Sequence, residues 1–218
     1  MATALKTTFV LLAGGKGNRL KPLTSNIPKC LVEVGGKSVL ERILERIYAS
    51  AGKIIIVVGV QAGKVKSFVK KTRFSDKVVF VTQKKQLGTG HAILSAQSQV
   101  RSNSFTVIYA DQVFEKKLFD KINSLSGKQF FLVAKKTRDA FGSGVVKAKN
   151  GFLQEIIEKP PSHSPGLLNT SIACVPASIF SILKKTRFSP RGEIEATDAY
   201  TALAKKQKIR VIVFNGFW

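Results

Sequence analysis

The chain is short of acidic residues. Its 218 residues carry 13 Asp and Glu against 36 Lys and Arg, a formal charge of +23. Such a field draws anions and speeds their arrival. Nucleotides and sugar phosphates qualify, and so do nucleic acids and anionic membranes. Cysteine is scarce too. Cys30 and Cys174 are the only two, with no CxxC spacing and no neighbouring His cluster. That excludes a disulfide framework and a zinc site. No apolar run approaches the ~18–20 residues that span a bilayer, which excludes a membrane helix. The first apolar run merges into a glycine loop, so no leader pattern is read and a cytoplasmic protein is expected. A clustered basic stripe with interleaved aromatics is also missing, which argues against nucleic acid as the partner. The lysine pairs are instead spread along the chain, as on a solvated basic surface.

What is present alternates. Strands are expected near 7–13, 53–59, 77–82, 104–110, 129–135, 144–148, 152–158, 168–175 and 209–214. Ile54-Ile55-Ile56-Val57-Val58 is the clearest, β-branched and bounded by Gly52 and Gly59. Helices are expected near 38–50, 62–71, 89–100, 115–124, 176–185 and 192–206. In the first, Val39, Leu40, Ile43, Leu44 and Ile47 share one face. This order predicts an α/β fold: a Rossmann-like, mainly parallel mixed sheet with helices on both faces. The closely spaced strands over 144–175 read as an antiparallel excursion over the edge that carries the site. The loose stretch Pro160–Gly166 reads as a surface loop, not a linker. One domain over 1–218 is therefore expected. Lys-Lys-Thr-Arg-Phe-Ser occurs at 70–75 and again at 184–189. Two distant copies make no solenoid and are expected to end two helices alike.

The richest stretch is the first thirty residues. Phe9-Val10-Leu11-Leu12-Ala13 reads as a buried strand. Gly14-Gly15-Lys16-Gly17-Asn18-Arg19-Leu20 follows, and then Pro28-Lys29. Glycines without Cβ let backbone N–H groups approach phosphate oxygens. Arg19 can bind a phosphate with two donors, and Lys29 adds a point charge. The dinucleotide fingerprint fails, because Leu20 stands where its third glycine belongs. The P-loop fails as well, because Leu31 stands five residues before Gly36.

Three further segments carry chemistry. Gln83-Lys84-Lys85-Gln86-Leu87-Gly88-Thr89-Gly90-His91-Ala92 links a strand to a helix. Gly88 and Gly90 would let backbone touch a flat base, Gln83 offers donor and acceptor to a pyrimidine edge, and Thr89 can cap the helix. His91 is read as packing in the first helical turn. Phe105-Thr106-Val107-Ile108-Tyr109-Ala110-Asp111 ends an apolar strand in a carboxylate at the edge where open α/β sheets bind ligands. A hard oxygen there suits Mg²⁺. Last come Gly142-Ser143-Gly144, Ile156-Ile157-Glu158-Lys159-Pro160 and Asn169-Thr170.

Leu12 through Thr24 with Pro28-Lys29 resembles the signature loop of the sugar-1-phosphate nucleotidylyltransferases, with Asn18 where that family has Thr. The Gln83–Ala92 stretch is similar to the family's base-recognition segment, nearest the N-acetylglucosamine-1-phosphate uridylyltransferases. The resemblance covers nearly the whole chain. It implies transfer of a nucleotidyl group from a nucleoside triphosphate to a hexose 1-phosphate, with UTP or dTTP favoured. Leu12, Ala13, Gly14, Gly15, Gln83, Gly88 and Thr89 would contact the nucleotide. Arg19 and Lys29 would hold the pyrophosphate, and Asp111 the Mg²⁺. Gly144, Glu158 and Asn169 would meet the sugar, and Lys159 its phosphate. Ser171 stands in place of the family's glycine. Glu193, Glu195, Thr197 and Asp198 are read as structural or subunit-contacting, and a homo-oligomer is left open.

Asn215-Gly216-Phe217-Trp218 resembles the family's G-x-W, which precedes a second metal ligand. That position follows Trp218, so the chain is either truncated or a departure from its family. Many relatives carry a left-handed β-helix further on. The competing reading is a non-catalytic nucleotide-binding or assembly subunit that keeps the fold.

Overall fold

The structure is a computed structural model that describes residues 6–160 and 163–218. Pro161 and Ser162 of the expected surface loop lie outside the described residues. The elements in order are β1 (Thr7–Ala13), β2 (Glu33–Val34), β3 (Lys37–Ser38), α1 (Val39–Ile47), β4 (Ala51–Val58), α2 (Ala62–Lys70), β5 (Val78–Thr82), α3 (Thr89–Ser95), β6 (Ser104–Tyr109) and α4 (Lys116–Leu125). Then follow β7 (Phe131–Thr137), β8 (Val145–Lys149), β9 (Phe152–Ile157), β10 (Gly166–Pro176), α5 (Ile179–Leu183), α6 (Ala196–Ala204) and β11 (Arg210–Phe214).

One nine-stranded sheet runs in the order β5-β4-β1-β6-β10-β7-β11-β9-β8. β5, β4, β1 and β6 are mutually parallel. The βαβ crossovers cover both faces, which is why these strands read as continuous apolar runs. Phe9, Leu11, Ile54, Ile56 and Val58 face the core under α1, α2 and α4. Val10, Ile55 and Val57 face the opposite core under α3, α5 and α6. Strand periodicity sends alternate residues of one run into two different cores.

Helix α1 follows from its sequence. Ser38 is its N-cap, and its Oγ accepts the Glu41 backbone N–H at 3.1 Å. All five expected apolar residues are buried. The repeated hexapeptides do end two helices alike: Thr72 Oγ1 donates to Val69 O at 2.7 Å after α2, and Thr186 Oγ1 to Ile182 O at 3.0 Å after α5.

Three elements differ from expectation. β10 does not stay at the edge but enters the middle of the sheet, antiparallel to β6 and β7. The expected excursion is therefore confined to β8 and β9. The hairpin β2–β3 was not anticipated, because its residues are mostly exposed and carry no apolar signal. Helix α6 begins at Ala196, not 192. The backbone before it is engaged elsewhere: Ile194 N–H donates to Leu87 O at 2.8 Å, and Ile194 O accepts from Gly90 N–H at 2.7 Å.

Candidate active site

β1, β4, β5 and β6 are parallel, so their C-terminal ends open on one side. A cavity of about 550 Å³ lies there. Leu12, Ala13, Gly14 and Gly15 line it from the end of β1. Arg19 and Lys29 line it from the loop beyond, Gln83, Gly88 and Thr89 from the segment after β5, and Asp111 from the end of β6. The tertiary structure thus brings three motifs far apart in the chain to one sheet edge, as a topological switch point does.

The glycine loop is held open from behind. Thr24 is buried, and its hydroxyl donates to Gly17 O at 2.7 Å. A Cβ on Gly15 would meet nothing within 4 Å, so the backbone there faces free space. Arg19 sits in the 3-10 turn Asn18–Leu20, is exposed, and has no ion-pair partner among the described residues.

Lys29 Nζ donates to Asp111 Oδ2 at 2.7 Å. Both side chains are about one-third exposed, so solvent screens the pair and its net worth is at most about 1 kcal/mol. The other carboxylate oxygen is the informative one. Asp111 Oδ1 is buried and has no hydrogen-bond partner among the described residues. An unpaired buried carboxylate oxygen is costly, and a hard divalent cation is the partner it suits.

Cys30 adjoins Lys29 but is no nucleophile. It is 3 % exposed, and burial pushes its thiol up to about 12, outweighing the bond from its own backbone. The folded-state value lies above the unfolded one, so the thiol stays protonated until well above pH 9. Iodoacetamide at pH 8 is expected to leave Cys30 unlabelled in the native protein and to label it in denaturant. Native labelling, followed by peptide mass, would contradict this.

The segment after β5 departs from the simplest expectation. Gly88 lines the cavity, but the side of Gly88 and Gly90 where a Cβ would point is filled by protein. A Cβ on either would stand under 3 Å from Ile194 O, because residues 193–195 cross directly over them. Thr89 does not cap its own helix: the N-cap of α3 is Gly88, with no side-chain bond. Its hydroxyl instead accepts the Ala196 N–H at 3.0 Å and so caps α6. His91 lies in the first turn of α3, as expected, and its Nδ1 is 3.1 Å from Gln83 Nε2.

The sugar set forms a second cluster outside this cavity. A Cβ on Gly144 would lie 3.3 Å from Glu158 Oε2 and 3.5 Å from Asn169 Cβ. Gly144 O accepts the Asn169 N–H at 2.8 Å, and Ser143 O accepts the Lys159 N–H at 3.1 Å. Glu158 Oε2 accepts from Thr197 Oγ1 at 3.1 Å. Thr197 is thus tied to the sugar cluster. One short stretch, 193–197, crosses the glycines beside Gln83, is capped by Thr89 and holds Glu158. This stretch, read from sequence as structural or subunit-contacting, joins the two clusters. No local signal could have revealed this, because its contacts are about 40 to 107 residues distant. Tyr109 and Glu193 also line the cavity and were not anticipated there. Burial holds the Tyr109 phenol well above its ordinary value, with the Thr89 hydroxyl pulling back, so it stays neutral.

Ser171 sits at a break in the β10 register between Asn169 and Ala173, with φ at 62°. A left-handed backbone costs a non-glycine residue about 1–2 kcal/mol, and glycine's extra unfolded-state entropy returns about 0.5–1. Ser171→Gly is therefore expected to stabilise the protein by about 0.5–1 kcal/mol. A urea titration showing a lower midpoint would contradict this. Asn169 Oδ1 accepts the Ser171 N–H at 3.0 Å, which leaves its amide NH₂ for another acceptor.

A mixed α/β sheet with a phosphate-type glycine loop, two cations and a carboxylate at its C-terminal edge defines a nucleotide-handling protein. The chain belongs to the nucleotidyl transferase family, whose family model matches residues 8–218. It is 36 % identical over 209 residues to a "Bifunctional protein GlmU" of Methanococcus aeolicus, covering 96 % of this chain and 50 % of that protein. It is 34 % identical over 212 residues to a bifunctional sugar-1-phosphate nucleotidylyltransferase/acetyltransferase of Sulfurisphaera tokodaii, covering 95 % and 50 %. The chain thus spans about half the length of these curated relatives. Among solved structures it resembles a "Putative Glucose-1-Phosphate Thymidylyltransferase" of Bacillus anthracis, with TM-score 0.84 and 25 % identity over 97 % of this chain and 88 % of that one. A UDP-glucose pyrophosphorylase at TM-score 0.83 and 23 % identity, covering 97 % and 92 %, shares the fold.

Proposed function

We propose that this chain transfers a nucleotidyl group from a nucleoside triphosphate, UTP or dTTP, to a hexose 1-phosphate of the glucose or N-acetylglucosamine type, releasing pyrophosphate. The observation that carries the reading is the unpartnered, buried Asp111 Oδ1 beside Lys29, in one cavity with Arg19 and the glycine loop. The same orphaned oxygen fits Asp111 to hold Mg²⁺. Bound there, the ion would neutralise charge on the phosphate oxygens.

The chain's own residues do the rest by placement. Gly14 and Gly15 leave backbone N–H groups open to phosphate oxygens. Arg19 and Lys29 hold the departing pyrophosphate, Lys29 exchanging its Asp111 partner for it. Gln83 reads the base. Glu158, steadied by Thr197, and Asn169 with its free amide bond the sugar hydroxyls, with Gly144 flat beneath the ring. Lys159 neutralises the sugar phosphate, whose oxygen attacks the α-phosphorus in line while the bond to the pyrophosphate oxygen breaks. No covalent enzyme intermediate is needed, and catalysis is positioning and charge neutralisation.

The test is pyrophosphate release with Mg²⁺, pairing glucose 1-phosphate and N-acetylglucosamine 1-phosphate with UTP, dTTP, GTP, CTP and ATP. It should be run on this chain and on one extended past Trp218. Trp218 Nε1 donates to Gln112 Oε1 at 2.8 Å, beside Asp111 in the chain, so an extension begins near the metal carboxylate. Release with a pyrimidine triphosphate is expected. Binding without release in both chains would instead identify a non-catalytic nucleotide-binding subunit.

A further inference from the structure

Gln83 is 4 % exposed, and its backbone is pinned by the bond from its N–H to Val58 O at 2.8 Å. Its side-chain amide has two ends, and only one can face the cavity. Nε2 stands 3.1 Å from Gly88 O and 3.1 Å from His91 Nδ1. A carbonyl oxygen only accepts, so the end that faces it is the NH₂. That group has two hydrogens. One goes to Gly88 O, and the other goes to His91 Nδ1, which must accept and therefore leaves the ring proton on Nε2. Both donors are spent. Oε1 remains, with no donor bonded to it among the described residues, close to Gly14 in the cavity wall that both residues line.

We propose that His91 is a positioning residue that fixes the polarity of the Gln83 amide, so that the cavity presents an acceptor and selects a pyrimidine with a ring N–H. The inference rests on the reading of Gln83 as the base-recognition residue. Uracil and thymine carry a hydrogen on N3. Cytosine carries a lone pair there, which would face the Oε1 lone pairs. A site built to accept a hydrogen bond rejects an analogue lacking the donor, because a buried polar atom is left unpaired. Gly88 O alone would hold only one of the two amide hydrogens. Without the second hold, the amide can turn and offer its NH₂ to cytosine.

The test uses His91→Leu, which removes the acceptor, and His91→Asn, whose Oδ1 can replace Nδ1. UTP and CTP are compared at pH 8 in two ways: by kcat/KM for pyrophosphate release and by equilibrium binding. The unsubstituted chain should favour UTP. His91→Leu should reduce that preference by about tenfold, the worth of one satisfied buried hydrogen bond. His91→Asn should restore most of it. A purely structural role would weaken UTP and CTP alike and leave their ratio unchanged. Three results would overturn the proposal: an unchanged ratio in His91→Leu, equal loss in both variants, or no UTP preference in the unsubstituted chain. If UTP binds preferentially and depends on His91 but no pyrophosphate is released, the transferase reading fails and this one stands. If neither nucleotide binds, both fail.

Discussion

Asp111→Asn is expected to cut pyrophosphate-releasing turnover by about 10²–10³-fold while the protein stays folded, because a charge aimed at the reacting phosphates is removed without changing shape. Asparagine keeps the volume. It loses the Lys29 ion pair, which is one-third exposed and worth at most about 1 kcal/mol. It also converts the orphaned Oδ1 from half of an anion into a neutral dipole, which holds a hard cation poorly. The check is steady-state turnover at saturating Mg²⁺ together with a thermal melt. A variant with near-normal rate would remove Asp111 from the chemistry. A variant that melts many degrees lower would mean that its role is structural.

Arg19→Ala should lower kcat/KM by about a hundredfold, an interaction worth about 2–3 kcal/mol in a charge-assisted bidentate contact. Its stability should be unchanged. Arg19 is exposed, lies in a short 3-10 turn and has no ion-pair partner among the described residues, so the free protein loses nothing. Arg19→Lys should fall between the two, because lysine supplies the charge without the fork. Measuring kcat and KM separately would decide the role. A rise in KM alone would mean uniform binding of the triphosphate. A fall in kcat would mean support of the leaving pyrophosphate as charge develops on it.

Local chemistry made much of this molecule readable. The apolar runs of β1, β4 and β6 were recognisable because parallel strands covered on both faces have no polar side to dilute the pattern. The face of α1 was recognisable because five apolar residues recur at helical spacing after a serine cap. Asp111 stood out because a carboxylate directly after a buried strand has few other reasons to be there. Helix α6 and the role of residues 193–197 were not readable. Their backbone bonds to Leu87 and Gly90, and the hydroxyl bonds joining them to Thr89 and Glu158, cross distances that no local pattern encodes. Gly88 and Gly90 were readable as necessary glycines, but the residues 193–195 that press on their Cβ side were not. Sequence shows that a side chain is missing, and only the fold shows what occupies the space.

By itself the sequence determined the strand–helix alternation, the phosphate-type loop, the pair of cations and the carboxylate, because each depends on residues near one another in the chain. The tertiary structure alone decided which end of Gln83 faces the cavity, which oxygen of Asp111 is left without a partner, and that Thr197 holds Glu158. Those are matters of orientation. A side chain's type states what it can bond, but the groups packed around it settle which of its atoms remain free.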